Sequence, residues 1–166
     1  LIQVNNALTL AQQRAHPFSL SFALSFAARF HQYRLEVQAV QEIAEATISL
    51  ATVQGFPQLM ARGALLYGWA LVQQGQAQEG IEQIKQGLRA HRATGAELNR
   101  PYYLALLAEA HGTMGQPEAG LTVLTEALTL VDKTGERWCE AELYRLKGEL
   151  LLQQNSDHQA EAEICF

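Results

Sequence analysis

The chain is poor in cysteine, in proline and in basic charge, and each shortage excludes something. Only two cysteines, Cys139 and Cys165, occur in 166 residues. A disulfide-stapled secreted domain carries more thiols in a shorter chain, so both read as free thiols of a reducing, cytoplasmic compartment. Twelve basic residues face 17 acidic ones, for a net charge of −5. Nucleic-acid binding needs a basic face, and attraction to anionic lipid needs the same, so neither partner is expected. A membrane span needs about 20 consecutive apolar residues. The most apolar stretch, 18–30, is shorter, is interrupted by serines and contains Arg29. No basic segment precedes an apolar one in the manner of a signal peptide. β-Branched residues are sparse, and nothing alternates with period two over the length of a strand.

What is present is repetition. Gly55, Gly95 and Gly135 lie 40 residues apart, as do Gly75, Gly115 and Asn155. The segments after them align without a gap. Gly68, Ala108 and Gly148 share one position; Gly80, Gly120 and Ala160 share another; Ile84, Leu124 and Ile164 share a third. Within each unit the apolar residues recur at helical spacing. Ala77, Ile81, Ile84 and Leu88 form one stripe, and Leu121, Leu124, Leu128 and Val131 repeat it. A second helix precedes each of these, carrying Ala64, Tyr67, Gly68 and Leu71 in one unit and Leu104, Leu107, Ala108 and His111 in the next.

The punctuation agrees with paired helices. Glycine and asparagine tolerate the left-handed conformation that ends a helix, and they recur where one helix should stop. The four prolines, Pro17, Pro57, Pro101 and Pro117, stand at helix starts, where the missing N–H costs nothing. The spacing predicts helices over about 17–34 and 36–53, 57–74 and 76–93, 98–114 and 116–133, and 137–154 with a partner from 156 onward. A lone helix over about 2–14 comes first. One pair cannot bury its apolar face alone, so neighbours must stack. The small residues at 68, 108 and 148 and at 80, 120 and 160 would let backbones approach there.

This pattern resembles the tetratricopeptide repeat. Gly68, Leu71, Gly75, Gly80, Ile84 and Gly87 follow that family's order of small, large, turn glycine, small, large and small, and Ala108, His111, Gly115, Gly120, Leu124 and Ala127 follow it again. The repeat here is longer, with the extra residues after 87 and 127, and the family's proline near the end of the second helix is missing. The resemblance implies an all-α, TPR-like α-solenoid, a right-handed superhelix of antiparallel helix pairs. A single repeat domain would span 1–166, with a partial unit at 1–14, units at about 15–54, 55–94 and 95–134, and a truncated unit at 135–166. The first residue is Leu1 and the last run looks helical, so a piece of a longer protein is expected. The runs Gly68-Trp69-Ala70-Leu71, Arg100-Pro101-Tyr102 and Ala141-Glu142-Leu143-Tyr144-Arg145-Leu146-Lys147-Gly148 are similar to the C-terminal repeats of bacterial signalling proteins with an ATPase module. Those proteins often carry an adenylate/guanylate cyclase domain as well. The resemblance implies a bacterial, cytoplasmic regulatory arm, with any ATPase or cyclase activity elsewhere in the parent.

No reaction centre is legible. The phosphate-loop pattern has no match, and no dinucleotide fingerprint follows a strand. The five histidines, 16, 31, 91, 111 and 158, lack partners at metal-ligand spacing. His31 and His111 take the large core position held elsewhere by Leu71 and Leu151, so they read as packed histidines with one satisfied nitrogen. Cys139 sits among Glu136, Glu140 and Glu142, which should raise its thiol pKa rather than activate it. No cofactor and no metal are expected.

A binding surface is expected instead, on the concave face that first helices line in such repeats. The family register places Phe22, Ser25, Arg29 and Tyr33 there in the first unit, and Arg62, Leu65, Trp69 and Gln73 in the second. The third contributes Tyr102, Ala105, Glu109 and Thr113, and the fourth Glu142, Arg145, Glu149 and Gln153. Aromatic residues and arginine are enriched at interaction hot spots. Trp69 stands where the other units have Arg29, Glu109 and Glu149, and is the strongest contact candidate unless it packs among its neighbours. The expected function is non-enzymatic protein or peptide binding, with other domains of the parent among the partners. A small-molecule sensor is the alternative, and pairing of exposed repeat ends would give a homodimer.

Overall fold

A computed structural model describes residues 2–155 and 158–165. Its helices are α1 (Ile2–Gln13), α2 (Pro17–Tyr33), α3 (Val37–Gln54), α4 (Pro57–Gln73), α5 (Ala77–Ala93), α6 (Arg100–Thr113), α7 (Pro117–Thr134), α8 (Glu140–Gln154) and α9 (Gln159–Glu163). No strand occurs among the described residues. The helix predicted from 156 onward begins at two residues outside the described set and is represented by the short α9. The chain divides into two compact units, 1–96 and 97–166.

The turns explain the periodicity better than the glycines alone. Residues 15, 35, 55, 75, 95, 115 and 135 all have positive φ, from 48° at Ala15 to 84° at Gly75. A helix therefore ends every twenty residues, whatever residue type stands there. Five of these are glycine; Ala15 and Leu35 adopt the same conformation against their steric preference. Asn155, expected to continue the series, is instead extended, with φ −162° and ψ 141°. It ends α8 without the left-handed turn.

The prolines sit in the first turns of α2, α4, α6 and α7. α6 and α8 start later than the spacing predicts, at residues 100 and 140 rather than 98 and 137. Residues 96–99 and 136–139 form loops before them. Within the second unit these loops are tied together, because the Asn99 backbone N–H donates to the Glu136 carboxylate at 2.9 Å.

In the first unit α2 packs on α1 and α3, and α4 packs on α3 and α5 while touching α2. In the second, α7 packs against α6 and α8, α8 also packs on α9, and α8 touches α6. Burial follows the forty-residue period. Ala44, Ile84 and Leu124 are buried, then Thr47, Gly87 and Ala127, then Ala51, His91 and Val131. The small residues act as expected where α4 meets α5. A Cβ on Gly80 would lie 2.5 Å from the Gly68 carbonyl oxygen, and one on Gly68 2.8 Å from that of Gly80. Where α6 meets α7 the clearance is larger, 3.1 Å from a Gly120 Cβ to the Ala108 carbonyl.

Both histidines at the large core position bond across a turn. His31 Nδ1 lies 2.5 Å from Glu36 Oε2, and His111 Nδ1 lies 2.9 Å from Gln116 Oε1. Glu36 and Gln116 are the residues that precede α3 and α7. These side chains satisfy one ring nitrogen each and strap a first helix to the start of its partner.

Candidate functional site

Ten of the sixteen residues placed on the concave face, the strongest contact candidates, divide into a buried set, an exposed set and a half-buried pair. Leu65, Trp69, Arg62 and Tyr102 are buried. Tyr33, Gln73, Arg145 and Glu149 are exposed, and Arg29 and Glu109 are half-buried. Of the two readings of Trp69, contact residue or packed side chain, its burial favours the second: at 1% exposure it is part of the core. Leu65 faces its own partner helix, since a Cβ on Gly87 of α5 would meet Leu65 Cγ at 2.8 Å. Arg62 turns its guanidinium toward the Phe22 ring, 5.9 Å from the centroid. Packing against α5 consumes Leu65 and cover from α2 consumes Arg62, and a register borrowed from a family does not reveal that.

In the first unit, what remains exposed is aromatic and cationic. Phe18, Phe22 and Phe26 lie four residues apart on α2, with Phe22 and Phe26 ring centroids 4.7 Å apart. Phe18 also meets Phe56 edge-on at 5.4 Å. The Arg29 guanidinium lies over the Phe26 ring at 4.5 Å, a cation–π contact. Between α1 and α2 is an open, mainly apolar hollow of about 480 Å³. Val4 and Ala7 line it from α1, with Phe22, Phe26, Phe30 and Tyr33 from α2. The spacing of four in the α2 phenylalanines is the sequence signal for this face; only Phe22 of the exposed three stands in the concave register.

In the second unit the exposed face of α8 is acidic. Arg145 donates from Nε and Nη2 to both oxygens of Glu142, each at 2.7 Å. Its Nη1 also donates to Glu149. The Glu142 bonds and the charges of Glu149 and Glu109 raise the arginine pKa, so the guanidinium is held charged. Three carboxylates around one guanidinium leave local negative charge. Exposed pairs of this kind add at most about 1 kcal/mol of stability, so their main effect is to fix a charge pattern.

Trp138 is a further exposed aromatic, one that helical spacing does not mark. Its Nε1 donates to Glu136 at 2.7 Å, and its ring centroid lies 5.5 Å from that of buried Tyr102. It belongs to the loop before α8, outside the helical stripes. Beside it, burial first and the Glu136 charge second push the Cys139 thiol up to about 11. A thiol so held is protonated near neutrality and a poor nucleophile. Among the described residues no group of three or more His, Cys, Asp and Glu side chains could hold a metal ion. No described helix is long and apolar enough to cross a membrane.

No family model matches the chain, and no curated protein matches it. Solved structures do. A Podosopora anserina chain described as kinesin light chain with nearly identical TPR-like repeats superposes with a TM-score of 0.61 and 20% identity. A point variant of that chain gives 0.63 and 19%. Each match covers 98% of this chain and 83% of the other. At such identity the likeness speaks for fold alone: the chain has the fold of TPR-like helical repeats.

Proposed function

We propose that this chain is a non-enzymatic module that binds a protein or peptide through the exposed faces of its first helices. The carrying observation is the division of those faces, within each unit taken by itself, into a packed floor and exposed side chains. Leu65, Trp69 and Tyr102 are immobilised by burial, while Tyr33, Arg145 and Glu149 stand outside the core. A rigid floor lowers the entropy cost of presenting exposed side chains to a partner. TPR-like repeats generally serve this role, and the exposed Tyr33 and Arg145 are of residue types enriched at hot spots. In its finer form the reading is a cytoplasmic regulatory or scaffolding arm of a bacterial signalling protein. The runs around Gly68, Pro101 and Ala141 support that form by their similarity to such arms.

The test uses quantitative affinity capture by the parent protein, intact, with residues 1–166 deleted, or carrying Tyr33→Ala with Arg145→Ala. Both side chains are exposed, so circular dichroism should stay unchanged. Capture should fall at least tenfold in the double variant and in the deletion. Capture unaffected by either change would sink the proposal. A second reading, a small-molecule sensor, draws on the hollow of about 480 Å³ between α1 and α2, a size within the range of ligand pockets. A thermal shift with metabolites, abolished by filling the hollow with Ala7→Phe, would favour it.

A further inference from the structure

One position separates α2 from every other first helix. Phe26, Leu66, Leu106 and Leu146 are equivalent by the forty-residue period. The three leucines are 2%, 2% and 4% exposed, whereas Phe26 is 39% exposed. Within the first unit, the helix that covers the equivalent face of α4 is α2 itself. α2 touches α4, Phe22 lies against Arg62, and a Cβ on Gly63 would meet Ile48 of α3 at 2.8 Å. Within the second unit α8 is seated the same way: a Cβ on Gly112 of α6 would meet Leu150 at 2.7 Å, and so would one on Gly120 of α7. The interface between successive first helices therefore recurs, each time with a second helix as its floor. One period earlier, the floor is α1 and the seat is the hollow lined by Phe22, Phe26 and Phe30.

The charge around this seat narrows the occupant. Among the described residues that line the hollow the charged one is Arg29, and no carboxylate lines it; Arg34, at the end of α2, is paired with Glu36 at 2.7 Å. A second copy docked about a two-fold axis would place the same basic face against itself, which like charges oppose.

We infer that the hollow between α1 and α2 is a docking site for an acidic amphipathic α-helix from outside these 166 residues, seated as α2 is seated on α4. Its apolar stripe, with residues at i, i+3, i+4 and i+7, covers the α2 phenylalanines, and its flanking carboxylates meet Arg29. α2 itself has 17 residues, about 25 Å of helix, and a helix of that length spans the seat. The inference rests on the interaction-module reading and names the mode and chemistry of one of its sites.

The test is fluorescence anisotropy with a labelled 17-residue synthetic helix bearing leucines at those spacings and glutamates on both flanks. The same helix with lysine flanks is the comparison. The 166-residue chain should bind the glutamate helix saturably and the lysine helix at least tenfold more weakly. Phe26→Glu should weaken the glutamate helix at least tenfold, and Phe22→Ser should do the same; circular dichroism identifies either variant that fails to fold. Equal binding of the two helices, no binding of either, or full binding by both folded variants overturns the inference. So does light scattering that shows a dimer dispersed by Phe26→Glu, since a second copy would then be the occupant. If the helix fails to bind but capture still depends on Tyr33 and Arg145, the docking site falls and the module reading stands.

Discussion

Equivalent positions of α2 and α4 hold Phe22 and Arg62, Phe26 and Leu66, Arg29 and Trp69, Tyr33 and Gln73. On one face the two helices behave alike. Ser21 and Ala61, Ser25 and Leu65, Ala28 and Gly68, Gln32 and Val72 are all buried. On the other face they part: Arg62 is buried while Phe22 is exposed, although phenylalanine is far the more apolar. Burial in a repeat protein is thus assigned by the neighbouring unit as much as by residue type. α4 has a first helix in front of it, and α2 has a hollow.

The strongest way to break this comparison is to truncate the pair that differs most. Trp69→Ala should cost about 3–5 kcal/mol, because a buried indole leaves a cavity as well as losing burial. Arg29→Ala, at the equivalent position of α2, should cost no more than about 1 kcal/mol, the size of an exposed cation–π contact. Urea denaturation of the two variants reads the difference directly. Equal losses would mean that α2 and α4 are packed alike.

Next in size is the crossing between helices of a pair. Where α4 and α5 meet with Gly68 and Gly80, the α2–α3 pair has Ala28 and Val40, both buried. Gly80→Val therefore copies what its own equivalent tolerates. It should still cost at least about 1–3 kcal/mol, because the new Cβ would lie 2.5 Å from the Gly68 carbonyl oxygen and backbone cannot step aside as a side chain can. A loss below about 0.5 kcal/mol, the size of an ordinary surface change, would show that the two crossings are interchangeable.

A smaller effect of opposite sign is expected at the turn. Leu35 has φ 56° and is 67% exposed, where α4 is followed by Gly75 at φ 84°. Leu35→Gly should stabilise by about 1 kcal/mol, since only glycine occupies that region without steric penalty. For a chain of this length the thermal midpoint should rise by about 2–4 °C. A lower midpoint would place Leu35 among side chains that contribute packing.

These three contrasts mark how far sequence reaches here. Helix number, turn positions and the burial period at 44, 84 and 124 are legible, because each is repeated and each repeat is a vote. The left-handed Ala15 and Leu35 are not legible from residue type; the spacing of twenty from Gly55 would have located them. Nor are the buried states of Trp69, Arg62 and Tyr102, because an inward helical position can face a groove or a neighbouring helix. Choosing between these needs three dimensions. The exposed aromatic stripe of α2 is legible as phenylalanines at a spacing of four, but its exposure depends on what lies in front of it.

The finest contrast is in acid sensitivity. After α2, Glu36 accepts from Arg34 Nε at 2.7 Å and pairs with His31 Nδ1 at 2.5 Å. After α4 the equivalent residues are Leu71, Gln74 and Gln76, none of which titrates. The His31 bond, then the Arg34 bond, lowers the Glu36 carboxyl pKa below its ordinary value. A carboxyl depressed in the folded state contributes stability above its unfolded value of about 4.3. That contribution is lost as pH falls through the folded value. Thermal midpoints of the wild type and Glu36→Gln should therefore differ near pH 5, and the gap should close as pH falls below about 4.3. Gln76→Ala should leave a gap that does not vary with pH. The Glu36 effect is small because the carboxylate is solvent-exposed, where water and salt screen the pair. It depends on sign rather than size: a gap that persists undiminished well below pH 4.3 would mean that the α2 turn is held by something other than its carboxylate.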